Sequence, residues 1–197
     1  MVAVLVCVGA IAWAEPQPPA AQCPEKLGCA EVRAKIAGYG RELKQLKKHF
    51  GDKENKASIE DETTIETHLA DLRNLSHCSQ CAKKLRSEAY TIQSGIEGIL
   101  AEHYDSWGMK KGEDGRRSFQ AARAAAQVDP KNLAAWTSYG KALVAIAGKT
   151  FKGRIAAYLK IDLQLEMKTT ASQLRQLLTG APSDARETLA ALESLIK

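Results

Sequence analysis

Ala121-Ala122-Arg123-Ala124-Ala125-Ala126-Gln127-Val128-Asp129-Pro130-Lys131-Asn132-Leu133-Ala134-Ala135-Trp136 holds the end of one helix, its stop and the start of the next. Pro130 forbids continuation of the alanine-rich helix, because it lacks an N–H and its ring clashes with the preceding turn. Asp129 opens the turn, and Trp136, Gly140 and Leu143 then fall on one face of the new helix. Gly140 on that face leaves room for a neighbouring helix to come close. Both sides of the turn are helical, and no segment elsewhere in the chain needs a strand.

Working outward, the N-terminal half repeats the same helical signal with larger side chains. Val32, Ile36, Tyr39, Leu43, Leu46 and Phe50 follow an unbroken 4-3-4-3-4 spacing, which draws one apolar seam along a helix. A second helix starts at Ser58, where Ser58-Ile59-Glu60-Asp61 resembles a capping box, and carries Ile65, Leu69, Leu72 and Leu75. The polar stretch from Gly51 to Ala57 links the two as a loop, so they are expected to fold back on each other as an antiparallel hairpin. Leu85, Ala89, Ile92, Ile96, Ile99 and His103 restore the 4-3-4-3-4 seam in a third long helix. Gly38 and Gly40 in the first helix, and Gly95 and Gly98 in the third, mark close backbone approach or a bend.

The chain has 197 residues, 45% hydrophobic and 26% charged, with a formal net charge of +5. That balance excludes wholesale disorder, a collagen and a polytopic membrane protein. Residues 1–14 form an uncharged apolar run ending Ala12-Trp13-Ala14 before a Pro-rich stretch, the pattern of a secretory signal with a small-residue cleavage site. It lacks a basic start and is too short to span a bilayer; a buried N-terminal helix is the alternative. Export makes disulfides of Cys23, Cys29, Cys78 and Cys81. Antiparallel pairing of the two helices favours nested bridges, Cys29 with Cys78 and Cys23 with Cys81, over the local pairs Cys23–Cys29 and Cys78–Cys81. Two further readings of this cluster are a redox pair in Cys78-Ser79-Gln80-Cys81 and a zinc site drawing on His77. The first lacks the preceding strand of a thioredoxin-like unit and the second has loose spacing. Ala82 stands where a c-type haem site needs His.

The stretch from Ala121 through Trp136, with Tyr139, Gly140 and Leu143, resembles the junction between two tetratricopeptide repeats in an exported bacterial protein. The resemblance covers about a quarter of the chain and implies a helical-repeat array in which Pro130, Trp136 and Gly140 pack one repeat on the next. A repeat of 34 residues opening at Leu133 puts the preceding one at Ile99. Ser118, Ala122, Ala125 and Pro130 fit its second helix, whereas Glu102, Asp105 and Met109 depart from its first. No second Asp-Pro turn follows, so the array is a degenerate one. The resemblance further implies a concave groove holding His103, Trp107, Lys110 and Lys111 from one repeat and Thr137, Lys141 and Val144 from the next. Such a basic groove with one aromatic suits an acidic or C-terminal segment of a partner protein.

The remaining helices are short. Ile155, Leu159, Asp162 and Leu163 are assigned to one, Leu174, Leu177 and Leu178 to another, and Ser183 is expected to cap the last, which carries Leu189, Leu192, Leu195 and Ile196. The expected organisation is a signal at 1–14, a Pro-rich and Cys-containing lead-in at 15–28, an antiparallel hairpin with a long third helix at 29–98, and tetratricopeptide-like repeats with a capping helix at 99–197. The fold class is all-α.

Reaction motifs are weak. Gly148-Lys149-Thr150 lacks the upstream Gly of a phosphate loop, since that position is Leu143, and Ser138-Tyr139-Gly140-Lys141 has no companion motif. His49, His68, His77 and His103 form no ligand or general-base spacing. Basic residues gather at Lys44, Lys47 and Lys48 near the hairpin tip and at Lys110, Lys111, Arg116 and Arg117 ahead of a fourth helix, interleaved with acids. Export and the lack of a reading motif disfavour nucleic acid. The expectation is therefore a non-catalytic periplasmic or secreted protein, without cofactor or metal and without a membrane span once the signal is cleaved. It docks on another envelope protein or an acidic peptide segment. The alternatives are a disulfide-clipped helical bundle acting as a spacer, and a thiol-redox or zinc protein.

Overall fold

A computed structural model describes residues 27–50, 59–103, 108–150, 152–178 and 182–196, with backbone alone for 59–62, 102–103 and 108–112. The fold is all-α. The described residues form eight helices and no strand: α1 (Cys29–Phe50), α2 (Ile59–Ser76), α3 (Lys83–His103), α4 (Gly108–Val128), α5 (Leu133–Ala147), α6 (Lys152–Tyr158), α7 (Leu163–Leu177) and α8 (Ser183–Leu195). The expected signal at 1–14 and Cys23 lie outside the described residues.

Two apolar cores follow from the seams. In the first, Val32 and Ile36 of α1, Leu69 and Leu72 of α2, and Ile96 and Leu100 of α3 are all but fully buried. Removing each of these side chains from water is worth about 1.5–3 kcal/mol. The helix α3 is the centre of this half, packing on both α1 and α2, which touch each other less. Polar links between α1 and α2 run in opposite chain directions. Asp71 accepts from Lys35 (2.9 Å) and from the Tyr39 hydroxyl (2.6 Å), and Glu42 meets the His68 ring at 2.7 Å. Burial, reinforced by the bond to Asp71, pushes the Tyr39 phenol well above its ordinary range.

The second core joins α4, α5, α7 and α8. Here alanines of α4 and α5 bring backbones together around Phe119, Trp136, Tyr139 and Leu143. The Asp-Pro turn is held from several sides. Asp129 Oδ1 accepts from the Lys131 amide (3.2 Å), Asn132 caps α5 by accepting from the Ala135 amide, and the Trp136 indole donates to the Pro130 carbonyl at 3.0 Å. Asn132 also donates to the Ser87 hydroxyl at 2.9 Å, and Ser87 donates to the Ala125 carbonyl at 2.7 Å. A buried serine of α3 thus fastens the turn between α4 and α5. At Gly140 an added Cβ would stand 2.7 Å from Thr188 Cγ2 and 3.2 Å from Leu192 Cδ1, so α8 packs where only glycine fits without displacement.

Several local expectations are corrected. The basic residues Arg116 and Arg117 lie inside α4, which begins at Gly108 and runs as one helix. The expected domain boundary at 98/99 falls within α3, which continues to His103. Asp162 and Leu163 do not share a helix with Ile155. Lys160 adopts a left-handed backbone (φ 53°), the Ile161 amide returns to the Ala156 carbonyl, and Asp162 caps α7 by accepting from Leu165. Ser183 is the first residue of α8, and its N-cap is Pro182, which supplies no side-chain cap.

Candidate functional site

The cysteine cluster joins α1 to the turn ahead of α3. Cys29 is bonded to Cys81, with Cα atoms 5.5 Å apart, which corrects the expected Cys29–Cys78 bridge. The expectation carried α2 straight on past its end. Instead the chain turns, with the Cys78 amide returning to Leu75 and the Cys81 amide returning to Cys78, so Cys81 is delivered to the start of α1. Cys78 is itself a disulfide cysteine. His77 beside it is a strut: Nδ1–H donates to the Arg73 carbonyl at 2.7 Å, and Nε2 accepts from the Tyr90 hydroxyl at 3.3 Å.

A second polar cluster is buried between α2, α3 and α4. Glu97 has no exposed surface and accepts from Arg73 (2.9 Å) and Gln93 (3.2 Å), with the Arg117 Nε at 4.0 Å. Arg117 also pairs with the buried Asp114, while Glu97 Oε2 and Asp114 Oδ2 have no hydrogen-bond partner among the described residues. Burial pushes the Glu97 carboxyl above its usual range even though Arg73, Gln93 and Arg117 pull the other way. On the far side, the buried Tyr139 hydroxyl sits by the Arg123–Glu166 pair, and burial raises that phenol well above its ordinary range.

A groove of about 870 Å³ lies between the two cores. Its floor comes from small residues of α3 and α4, among them Gly98, Ala101, Gly115 and Ser118, where the two helices cross closely. The closeness is visible in Gly98, whose absent Cβ would lie 3.3 Å from Ser118 Oγ, and in Ser118 itself, which donates to the Ser94 carbonyl at 2.8 Å. Apolar walls are added by Phe50 at the end of α1, Phe119 of α4 and Ile146 of α5. Ile155 and the 64% exposed Tyr158 of α6 close the other side.

Four cations border this groove, Lys47, Arg116, Lys141 and Lys149, and no acidic side chain is among its described lining residues. Lys141 reaches outward to Asp184 of α8 at 3.2 Å, and Arg116 lies 3.9 Å from Glu113. Lys47 and Lys149 are exposed and have no acidic partner among the described residues. Two of the four cations, Lys47 and Lys149, thus stand without a described counter-charge beside an apolar surface of low dielectric, a setting that strengthens attraction for an anionic ligand.

Of the expected concave-face residues whose side chains are described, Lys141 alone is among the lining. Thr137 is buried, its hydroxyl turned back on the Leu133 carbonyl at 2.8 Å, so its expected place in a groove is corrected. Val144 is half-buried in a shallower cleft against α8, beside Glu187 and Ala191. His103, Lys110 and Lys111 belong to α3 and α4 with backbone alone described, and Trp107 lies outside the described residues. Sequence reasoning missed that Lys47 and Arg116, noted only as parts of charge clusters, meet Lys141 and Lys149 across a shared concavity. No protein-family model matches the chain, and no curated protein or solved structure matches it.

Proposed function

We propose that the chain is an exported, non-catalytic docking protein whose groove between the two cores receives an acidic segment of another envelope protein. The observation that carries this reading is the groove itself, with four cations at its border, no described acid in its lining and an apolar floor. Desolvated apolar contact supplies affinity and the cations supply register and choice of partner. The Cys29–Cys81 bridge favours an oxidising compartment, and no helix among the described residues is long and apolar enough to cross a membrane. The α4–α5 junction is read as one tetratricopeptide-like unit in a degenerate array. The indole bond to Pro130 and the close seat of α8 on Gly140 support that reading.

The test is binding of a fluorescein-labelled acidic, leucine-containing peptide, followed by anisotropy at low and high salt. The variant Lys47→Glu/Lys149→Glu, which changes two exposed side chains, is expected to weaken binding at least tenfold, and raising the salt is expected to weaken the wild type likewise. Unchanged affinity in both measurements would remove the groove from the reading.

A further inference from the structure

The kind of segment that the groove accepts follows from the backbone groups it does not offer. A peptide lying on an apolar floor must satisfy its own N–H and C=O groups or lose several kcal/mol for each one buried without a partner. An extended peptide normally finds those partners along a sheet edge. The described residues contain no strand, and the floor is built from α3 and α4, whose interior backbone groups are already committed within their own helices. An α-helix brings its backbone bonds with it.

Size and charge placement agree. Two turns of α-helix, about 10 Å across and about 11 Å long, fill about 850 Å³, against a groove of about 870 Å³. The small side chains at Gly98, Gly115 and Ser118 let a helix axis come near, as they already do between α3 and α4 themselves. Lys141 lies in α5 and Lys149 just beyond the end of that helix at Ala147, and both line the groove. Lys47 and Arg116 belong to other helices on the border. Cations drawn from separate segments of the border suit several carboxylates on one rigid ligand. A single anionic head on an apolar tail would engage one or two of them.

We infer that the occupant of the groove is an amphipathic helix of the partner, with an apolar face toward Gly98 and Phe119 and acidic residues flanking that face toward Lys47 and Lys149. This inference rests on the docking reading above and narrows it. The experiment compares three probes on the full chain: a helix-forming peptide with Glu at positions i and i+7 and Leu at i+3 and i+4, the same peptide with two central residues replaced by Pro, and laurate. The expected result is that the helix-forming peptide binds at least tenfold more tightly than the Pro-containing one and gains helical circular dichroism on binding. The Lys149→Glu variant should lose most of that advantage, and laurate should not displace the peptide. Equal binding of the two peptides, both weakened by Lys47→Glu/Lys149→Glu, would overturn the helical occupant and leave the docking reading standing. Binding of neither peptide would overturn both. Displacement by laurate at stoichiometric concentration would assign the groove to an anionic amphiphile and overturn the helical occupant.

Discussion

The two cores are stabilised by different means. In α1–α3 the helices meet through leucine and isoleucine, with the buried Glu97 paired to a half-buried Arg73 where α2 and α3 adjoin α4, and a covalent bridge from Cys29 to Cys81. In α4, α5, α7 and α8 the described residues hold no such bridge; small residues bring the backbones close, and turn chemistry at Asp129, Asn132 and Asp162 sets the angles. The first arrangement tolerates imperfect packing because it is tied. The second depends on fit, so a single added methyl group matters more there.

The largest expected effect comes from untying the first core. In the chain-entropy picture, a bridge spanning 52 residues of sequence restricts the unfolded chain by about 4 kcal/mol. The double variant Cys29→Ala/Cys81→Ala should lose about that much in urea unfolding. Hydrogen exchange should show the loss in α1 and α2, with protection retained in α5 and α7. Equal loss of protection in both halves would show that they unfold as one unit and break the comparison.

A smaller effect distinguishes the two kinds of packing. Gly140→Ala sets a Cβ 2.7 Å from Thr188 Cγ2, on a short branched side chain whose hydroxyl is already bonded to the Asp184 carbonyl. Overpacking of this sort costs about 1–3 kcal/mol and outweighs the gain of about 1 kcal/mol in helix propensity. Gly95→Ala brings its Cβ just as near, 2.7 Å, to Leu43 Cδ2, but that is the tip of a flexible, half-buried side chain. Its expected net change is within about 0.5 kcal/mol, the relief of Leu43 offsetting the propensity gain. Thermal melts of the two variants side by side check the contrast.

The smallest effect is a change in pH profile. Because burial raises the Glu97 carboxyl above its ordinary range, the folded state holds a proton that the unfolded chain has released. The contribution of this group is fully present below the unfolded pKa and is lost as pH rises from that value through the folded one. Glu97→Gln should remove that part of the decline, so its urea midpoint plotted against pH is flatter than the wild type between those two values. Parallel curves would assign the decline to other groups.

Much of this was legible from residue order alone. The seams through Val32 and Ile96 and the turn at Pro130 are local patterns, and local patterns survive folding. The start of α4 was hidden, because Gly108, Gly112 and Gly115 among many charges carry no apolar period. The break after Tyr158 was hidden too, since Lys160 takes a backbone conformation that sequence normally reserves for glycine. The groove was the least legible feature. Lys47, Arg116 and Lys149 come from three places in the chain, and only the crossing of α3 and α4 puts them round one hollow.

The bridge between Cys29 and Cys81 also decides how the molecule answers mechanical force. A pull applied beyond each end passes through the sulfur link directly into α3, so α1 and α2 hang beside the line of tension and are not stretched. Lys47 and Phe50, at the far end of α1, lie within that sheltered segment.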